Sequence, residues 1–195
     1  MCSSDLAVAI RAGSASVTGF TITNGGSAGG ATGLVLGGSA NAGYGVASGV
    51  TIANNVIANV AVIGNWSAIH VADGAAGGSS GWTISGNRIT STLTTSGSAT
   101  GGITIRGTKG SAWIAENVLS GIAGAGIAVS GVDAVTITAN RLSTLGETGI
   151  QLGDAVTDTT VVGNTISGAN TASGADKGGI RVFSGSNSSG LTIRN

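Results

Sequence analysis

Short runs of aliphatic residues spaced two apart recur along this chain, and each run ends in glycine, serine, asparagine or aspartate. In the stretch 49–57 an alternating triplet, Val50-Thr51-Ile52, is followed by Asn55 and then Ile57. The plan returns as Trp82-Thr83-Ile84 with Asn87 and Ile89, and as Ala112-Trp113-Ile114 with Asn117 and Leu119. It returns again as Val135-Thr136-Ile137 with Asn140 and Leu142, and as Thr159-Thr160-Val161 with Asn164 and Ile166. Phe20-Thr21-Ile22 reads as an early copy with Gly25 at the asparagine position, and Leu191-Thr192-Ile193 as a last copy that stops at Asn195. A period of two puts the aliphatics on one face and the threonines on the other, as in a strand with one wet side. Helical i, i+3, i+4 spacing is absent.

A second motif alternates strictly with the first: a small residue, an aliphatic, any residue, an aliphatic. Its copies are Gly33-Leu34-Val35-Leu36, Ala68-Ile69-His70-Val71, Gly102-Ile103-Thr104-Ile105, Gly126-Ile127-Ala128-Val129, Gly149-Ile150-Gln151-Leu152 and Gly179-Ile180-Arg181-Val182. The asparagines lie at 55, 87, 117, 140 and 164, in steps of 32, 30, 23 and 24. The second motif, from 34 to 180, steps by 35, 34, 24, 23 and 30, so two separate rulers place the long and short repeats alike. Repeats of this length mean stacked units. Like strand follows like at a distance no tight hairpin spans, which predicts parallel stacking at a rung spacing of about 4.8 Å. About seven coils then make a column about 30–35 Å long. In such a stack Asn55, Asn87, Asn117, Asn140 and Asn164 form a structural ladder. Each amide can donate to the one a rung away, where an unpaired buried amide costs about 1–3 kcal/mol.

The motif V-T-I-x-x-N-x-I interleaved with G-I-x-V resembles the parallel β-helix repeat of the right-handed, pectin-lyase-like superfamily, over about residues 15–195. The expected fold is therefore all-β, a single-stranded right-handed parallel β-helix. The resemblance spans polysaccharide lyases, glycoside hydrolases, sugar epimerases, phage tailspikes and non-catalytic surface proteins, so it implies a fold and a range of functions.

Composition narrows this range. Charged residues are 8% of the chain and the net charge is zero, with no basic cluster, which argues against nucleic acid as a partner. No apolar run approaches the ~18 residues of a membrane span. Residues 1–6, Met1-Cys2-Ser3-Ser4-Asp5-Leu6, resemble a translated sequencing-adapter end and are set apart. The lone cysteine goes with them, and residues 7–195 read as one cysteine-free β-helix domain, compatible with an extracellular or cell-surface location. The unfinished last coil and the lack of an amphipathic cap are expected of a fragment with flanking domains missing.

Stacking turns sequence columns into surface columns. The middle residue of the second motif is expected to face outward: Val35, His70, Thr104, Ala128, Gln151, Arg181. His70, Asp73, Arg106 and Lys109 then converge on one outer patch, flanked by Trp66. These five are the candidate polysaccharide contacts, with Trp66 stacking on a sugar ring. Under the lyase alternative that the resemblance implies, Lys109 or Arg106 takes the proton beside a uronate carboxylate. Asp73 orients the base, His70 lies beside it, and calcium can assist. Against catalysis, the hydrolase Gly-His-Gly and Arg-x-Lys signatures and the epimerase Asp-Pro-His are missing, and the chain has no proline. Asp133, Asp154 and Asp158 fall short of the six or more oxygens calcium wants, so no metal or other cofactor is expected. A row of Thr21, Thr51, Thr83, Thr136, Thr160 and Thr192, broken by Trp113, raises ice binding as a minor alternative. Trp82, in line with Phe20, Val50 and Val135, is expected inside. The leading expectation is a non-catalytic stalk or binding module of an exported bacterial surface protein, contacting polysaccharide.

Overall fold

A computed structural model describes residues 6–10, 13–23, 32–36, 48–62, 67–72, 80–94, 101–106, 110–171, 178–183 and 187–195. Among the described residues, six coils each give one strand to each of three sheets, and the seventh gives two. The first coil holds β1 (Leu6–Ile10), β2 (Ser16–Thr18) and β3 (Thr21–Thr23), and the second β4 (Thr32–Leu36), β5 (Thr51–Ala53) and β6 (Val56–Ala58), with the short β7 (Ala61–Val62) after it. The third holds β8 (Ser67–Ala72), β9 (Trp82–Ser85) and β10 (Arg88–Thr94), and the fourth β11 (Gly101–Arg106), β12 (Ala112–Ala115) and β13 (Val118–Ile122). Next come β14 (Ile127–Ser130), β15 (Val135–Thr138) and β16 (Arg141–Leu145), then β17 (Ile150–Leu152), β18 (Thr160–Val162) and β19 (Thr165–Ser167), and last β20 (Ile180–Val182) and β21 (Thr192–Arg194). Of residues 1–6, the first five lie outside the described residues, and Leu6 pairs with Thr32.

Three parallel sheets result. Sheet 1 runs β1-β4-β8-β11-β14-β17-β20, sheet 2 runs β2-β5-β9-β12-β15-β18-β21, and sheet 3 runs from β3 through β6, β10, β13 and β16 to β19. Equivalent residues sit in register: Ile52 on Ile84, Ile84 on Ile114, Ile114 on Ile137, and Ile137 on Val161. The core is a set of such columns, with Ile57, Ile89, Leu119 and Leu142 from sheet 3 and Ile69, Ile103, Ile127 and Ile150 from sheet 1 all buried. Each buried aliphatic contributes roughly 1.5–3 kcal/mol.

The turn from sheet 2 to sheet 3 is always two residues. Its first residue is left-handed: Gly19, Asn54, Gly86, Glu116, Ala139 and Gly163 have φ of 76°, 56°, 62°, 58°, 54° and 62°. That conformation costs a non-glycine residue roughly 1–2 kcal/mol, and it turns the next side chain into the stack. There the asparagines bond in series. Asn87 Oδ1 accepts from the Asn55 backbone N–H and from Asn55 Nδ2, both at 3.0 Å. Asn87 Nδ2 donates to the Ile52 carbonyl at 2.9 Å and to Asn117 Oδ1 at 3.0 Å. The same amide-to-amide step links Asn117 to Asn140 and Asn140 to Asn164. The buried polar capacity at this corner is therefore filled by its own repeats.

The first coil differs from the sequence reading. Ser16-Val17-Thr18, and not Phe20-Thr21-Ile22, pairs with Thr51-Ile52-Ala53, while Thr21 and Ile22 pair with Val56 and Ile57 in sheet 3. Phe20, and not Gly25, takes the asparagine position: its N–H donates to Asn55 Oδ1 at 3.0 Å. The outer threonine row therefore starts at Ser16, and Phe20 is 57% exposed where an inward position was expected. The constant two-residue turn explains the shift, because Val17 precedes Phe20 by the three residues that separate Ile52 from Asn55.

Before the first aliphatic of sheet 1, close packing leaves no room for a Cβ at Gly102, Gly126 and Gly149, though Ala68 fits at the same position two coils before Gly126. A Cβ on Gly102 would lie 2.2 Å from the Gly126 carbonyl oxygen, and one on Gly149 2.5 Å from that of Gly179. Where sequence pattern alone shows only a small residue, the fold shows the next rung's backbone filling the space.

Candidate functional site

Length variation between coils falls wholly beside sheet 1. Strands of sheets 2 and 3 are joined by two residues in every coil, from 19–20 to 163–164, whereas the segments entering and leaving sheet 1 differ from coil to coil. In solenoids, insertions commonly gather on one side of the coil, and that side is often where ligands bind.

On that side His70 lies in β8, in register between Val35 of β4 and Thr104 of β11. The expectation of an open outward column is corrected here. His70 is 5% exposed, and Thr104 and Ala128 are buried as well. The Ser67 hydroxyl bonds to Thr104 Oγ1 at 2.5 Å. Arg106 pairs with Ala72 at the end of β11 and is half-buried. His70 and Arg106 thus belong to neighbouring rungs of one face. Trp66, Asp73 and Lys109 lie outside the described residues.

Burial holds the His70 pKa down from 6.5 to about 4, with the Arg106 charge adding to the effect. Burial also lowers the Arg106 pKa. The folded chain therefore keeps the imidazole neutral where the unfolded chain protonates it. Stability from this group is full above pH 6.5 and is lost as pH falls through 6.5 toward 4, by on the order of 2–3 kcal/mol. Urea midpoints measured from pH 7 to pH 4 should fall more steeply for the wild type than for His70→Gln. Parallel slopes would show that His70 is not the titrating group.

Asp133, considered above for a cation, instead accepts a 2.5 Å hydrogen bond from the Thr157 hydroxyl of the next coil. On sheet 2 the outer column reads Thr51, Thr83, Trp113, Thr136, Thr160, Thr192 in register, and Trp113 is 43% exposed among these smaller residues. Trp82 is buried at 2% exposure.

Sequence reasoning missed Phe183. It follows β20 on sheet 1, with the Arg181 guanidinium 4.1 Å from its ring centroid, and it lines a groove with Ser130, Gln151 and Asp154. The signal was present: the position after the second aliphatic reads Arg106, Ser130, Gly153, Phe183 in successive coils, and a small residue beside an aromatic opens a hollow.

Stacked parallel rungs, a continuous aliphatic core and an amide ladder define a single-stranded β-solenoid. The profile of one protein family, described as a right-handed β-helix region, matches residues 6–195, and the chain belongs to that family. The coil is accordingly right-handed. Searches of curated proteins and of solved structures return no match.

Proposed function

We propose that this β-helix is a rigid, non-catalytic stalk or binding module of an exported bacterial surface protein, contacting polysaccharide along sheet 1. The observation that carries the reading is the asymmetry of the coil. Two sides are held by constant two-residue turns and the amide ladder, and all variation gathers around the third. A stiff column with one variable face suits presentation of binding groups to an extended polymer. His70 argues against acid–base work: a general base must come within hydrogen-bond reach of its proton, and this imidazole is buried.

The lyase alternative assigns proton abstraction to Arg106, half-buried at the end of β11, or to Lys109. The two readings separate in one assay. The protein is incubated with polygalacturonate or alginate, with and without calcium, and ultraviolet absorbance follows any unsaturated uronate. No absorbance gain is expected. A calcium-dependent gain that disappears in Arg106→Ala or Lys109→Ala would replace the binding module with an enzyme.

A further inference from the structure

We propose that the groove at the sheet 1 end of coils five to seven binds a neutral sugar unit, an inference that rests on sheet 1 being the binding face and adds its ligand class. The groove has a volume of about 440 Å³ and is lined by Ser130, Gln151, Asp154 and Phe183. It exists because Gly153 stands between Ser130 and Phe183: a Cβ at Gly153 would come within 2.9 Å of the Ser130 Cβ. The Phe183 N–H donates to the Leu152 carbonyl at 2.9 Å, which fixes the aromatic residue at the end of its strand.

The lining chooses among ligand classes. Arg181 lies over the Phe183 ring, 4.1 Å from its centroid, so a cationic ligand meets a positive charge beside the aromatic surface. The exposed Asp154 carboxylate offsets the Arg181 charge, so neither an anion, a uronate included, nor a cation gains a net attraction. What remains is a neutral ligand with a flat apolar face and several hydroxyls. The ring supplies an apolar platform, Gln151 supplies both a donor and an acceptor, Asp154 accepts from hydroxyls, and Ser130 accepts from or donates to them. Gln151 is in register with Arg181, so the carboxamide and the Arg181–Phe183 stack come from neighbouring rungs. A volume of this size is within the range of small-molecule clefts, about 300–1,000 Å³.

Affinity electrophoresis in gels cast with galactomannan, xyloglucan or polygalacturonate tests this. The wild type should be retarded by at least one neutral polymer and not by polygalacturonate. Phe183→Ala should weaken retardation about tenfold, and Phe183→Trp should keep it, with both variants melting as the wild type does. If Phe183→Ala fails to fold, Gln151→Ala is read in its place, and loss of retardation is again expected. Retardation by polygalacturonate alone, abolished by Arg106→Ala, would overturn the neutral-sugar groove and leave the binding face of sheet 1 standing. Neutral-polymer retardation unchanged by Phe183→Ala would also overturn it. No retardation by any polymer would remove both readings.

Discussion

Asn117→Ala is expected to cost about 3–6 kcal/mol of stability. Asn117 Oδ1 accepts from the Asn87 backbone N–H at 2.9 Å and from Asn87 Nδ2 at 3.0 Å, and alanine leaves both donors without that acceptor. Two donations are lost as well, from Asn117 Nδ2 to the Ile84 carbonyl at 2.8 Å and to Asn140 Oδ1 at 3.0 Å. The site is dry, so water cannot take these bonds over without opening the corner. Asn117→Asp should be no better, because it keeps the acceptor but aims a carboxylate oxygen at two other oxygens. Asn164→Ala is the internal control. Its Oδ1 likewise accepts from the Asn140 N–H and Nδ2, both at 2.9 Å, but the residue is only partly buried and water can replace it, so its loss should be smaller, about 1–2 kcal/mol. Urea unfolding followed by circular dichroism measures all three. Equal midpoints for Asn117→Ala and Asn164→Ala would mean that the ladder does not hold the coils together. A biphasic transition in Asn117→Ala would be consistent with it, since a weakened interface in a stack lets the two sides unfold apart.

Trp82→Ala should cost about 3–5 kcal/mol. The indole is the largest fully buried side chain and pairs in register with Ala112, so a large and a small residue share one layer of the column. Its removal leaves a cavity that neighbouring backbones, pinned in parallel sheets, cannot collapse to fill. Trp82→Leu with Ala112→Val should regain part of the loss because volume is restored. The same variant bears on function. Folded Trp82→Ala should be retarded by polysaccharide as the wild type is, because the ring never reaches the surface. Unchanged melting together with lost retardation would make Trp82 a sugar platform and contradict its burial.

The fold separates its constant and variable parts in space. The corner between sheets 2 and 3 is saturated with internal hydrogen bonds and tolerates no change in length. Sheet 1 has the same core on its inner side, yet its flanks vary from coil to coil. Constant and variable parts are thus built from different columns of the same repeat.

The sequence by itself determined the parallel order, the coil count and the strands of the two repeating motifs outside the first coil, because inward-outward alternation is a local property. It did not show that the asparagine motif splits into two strands of separate sheets. Ile84 and Ile114 declare themselves inward from their own neighbours, and the recurring asparagine three residues later marks the corner. The tertiary structure decided which residues of different coils share a surface. Val17 and Phe20 take their places from the length of one turn, which aromatic-Thr-Ile similarity misassigned. His70 alternates as an outward residue and is nonetheless buried, since burial is set by the packed structure and not by alternation along one strand. Phe183 borders Ser130 and Asp154 only because two coils stack with Gly153 between them. Neighbours along the column are twenty to thirty-five residues apart in the chain. Their alignment follows from corner geometry and close packing, which no local pattern contains.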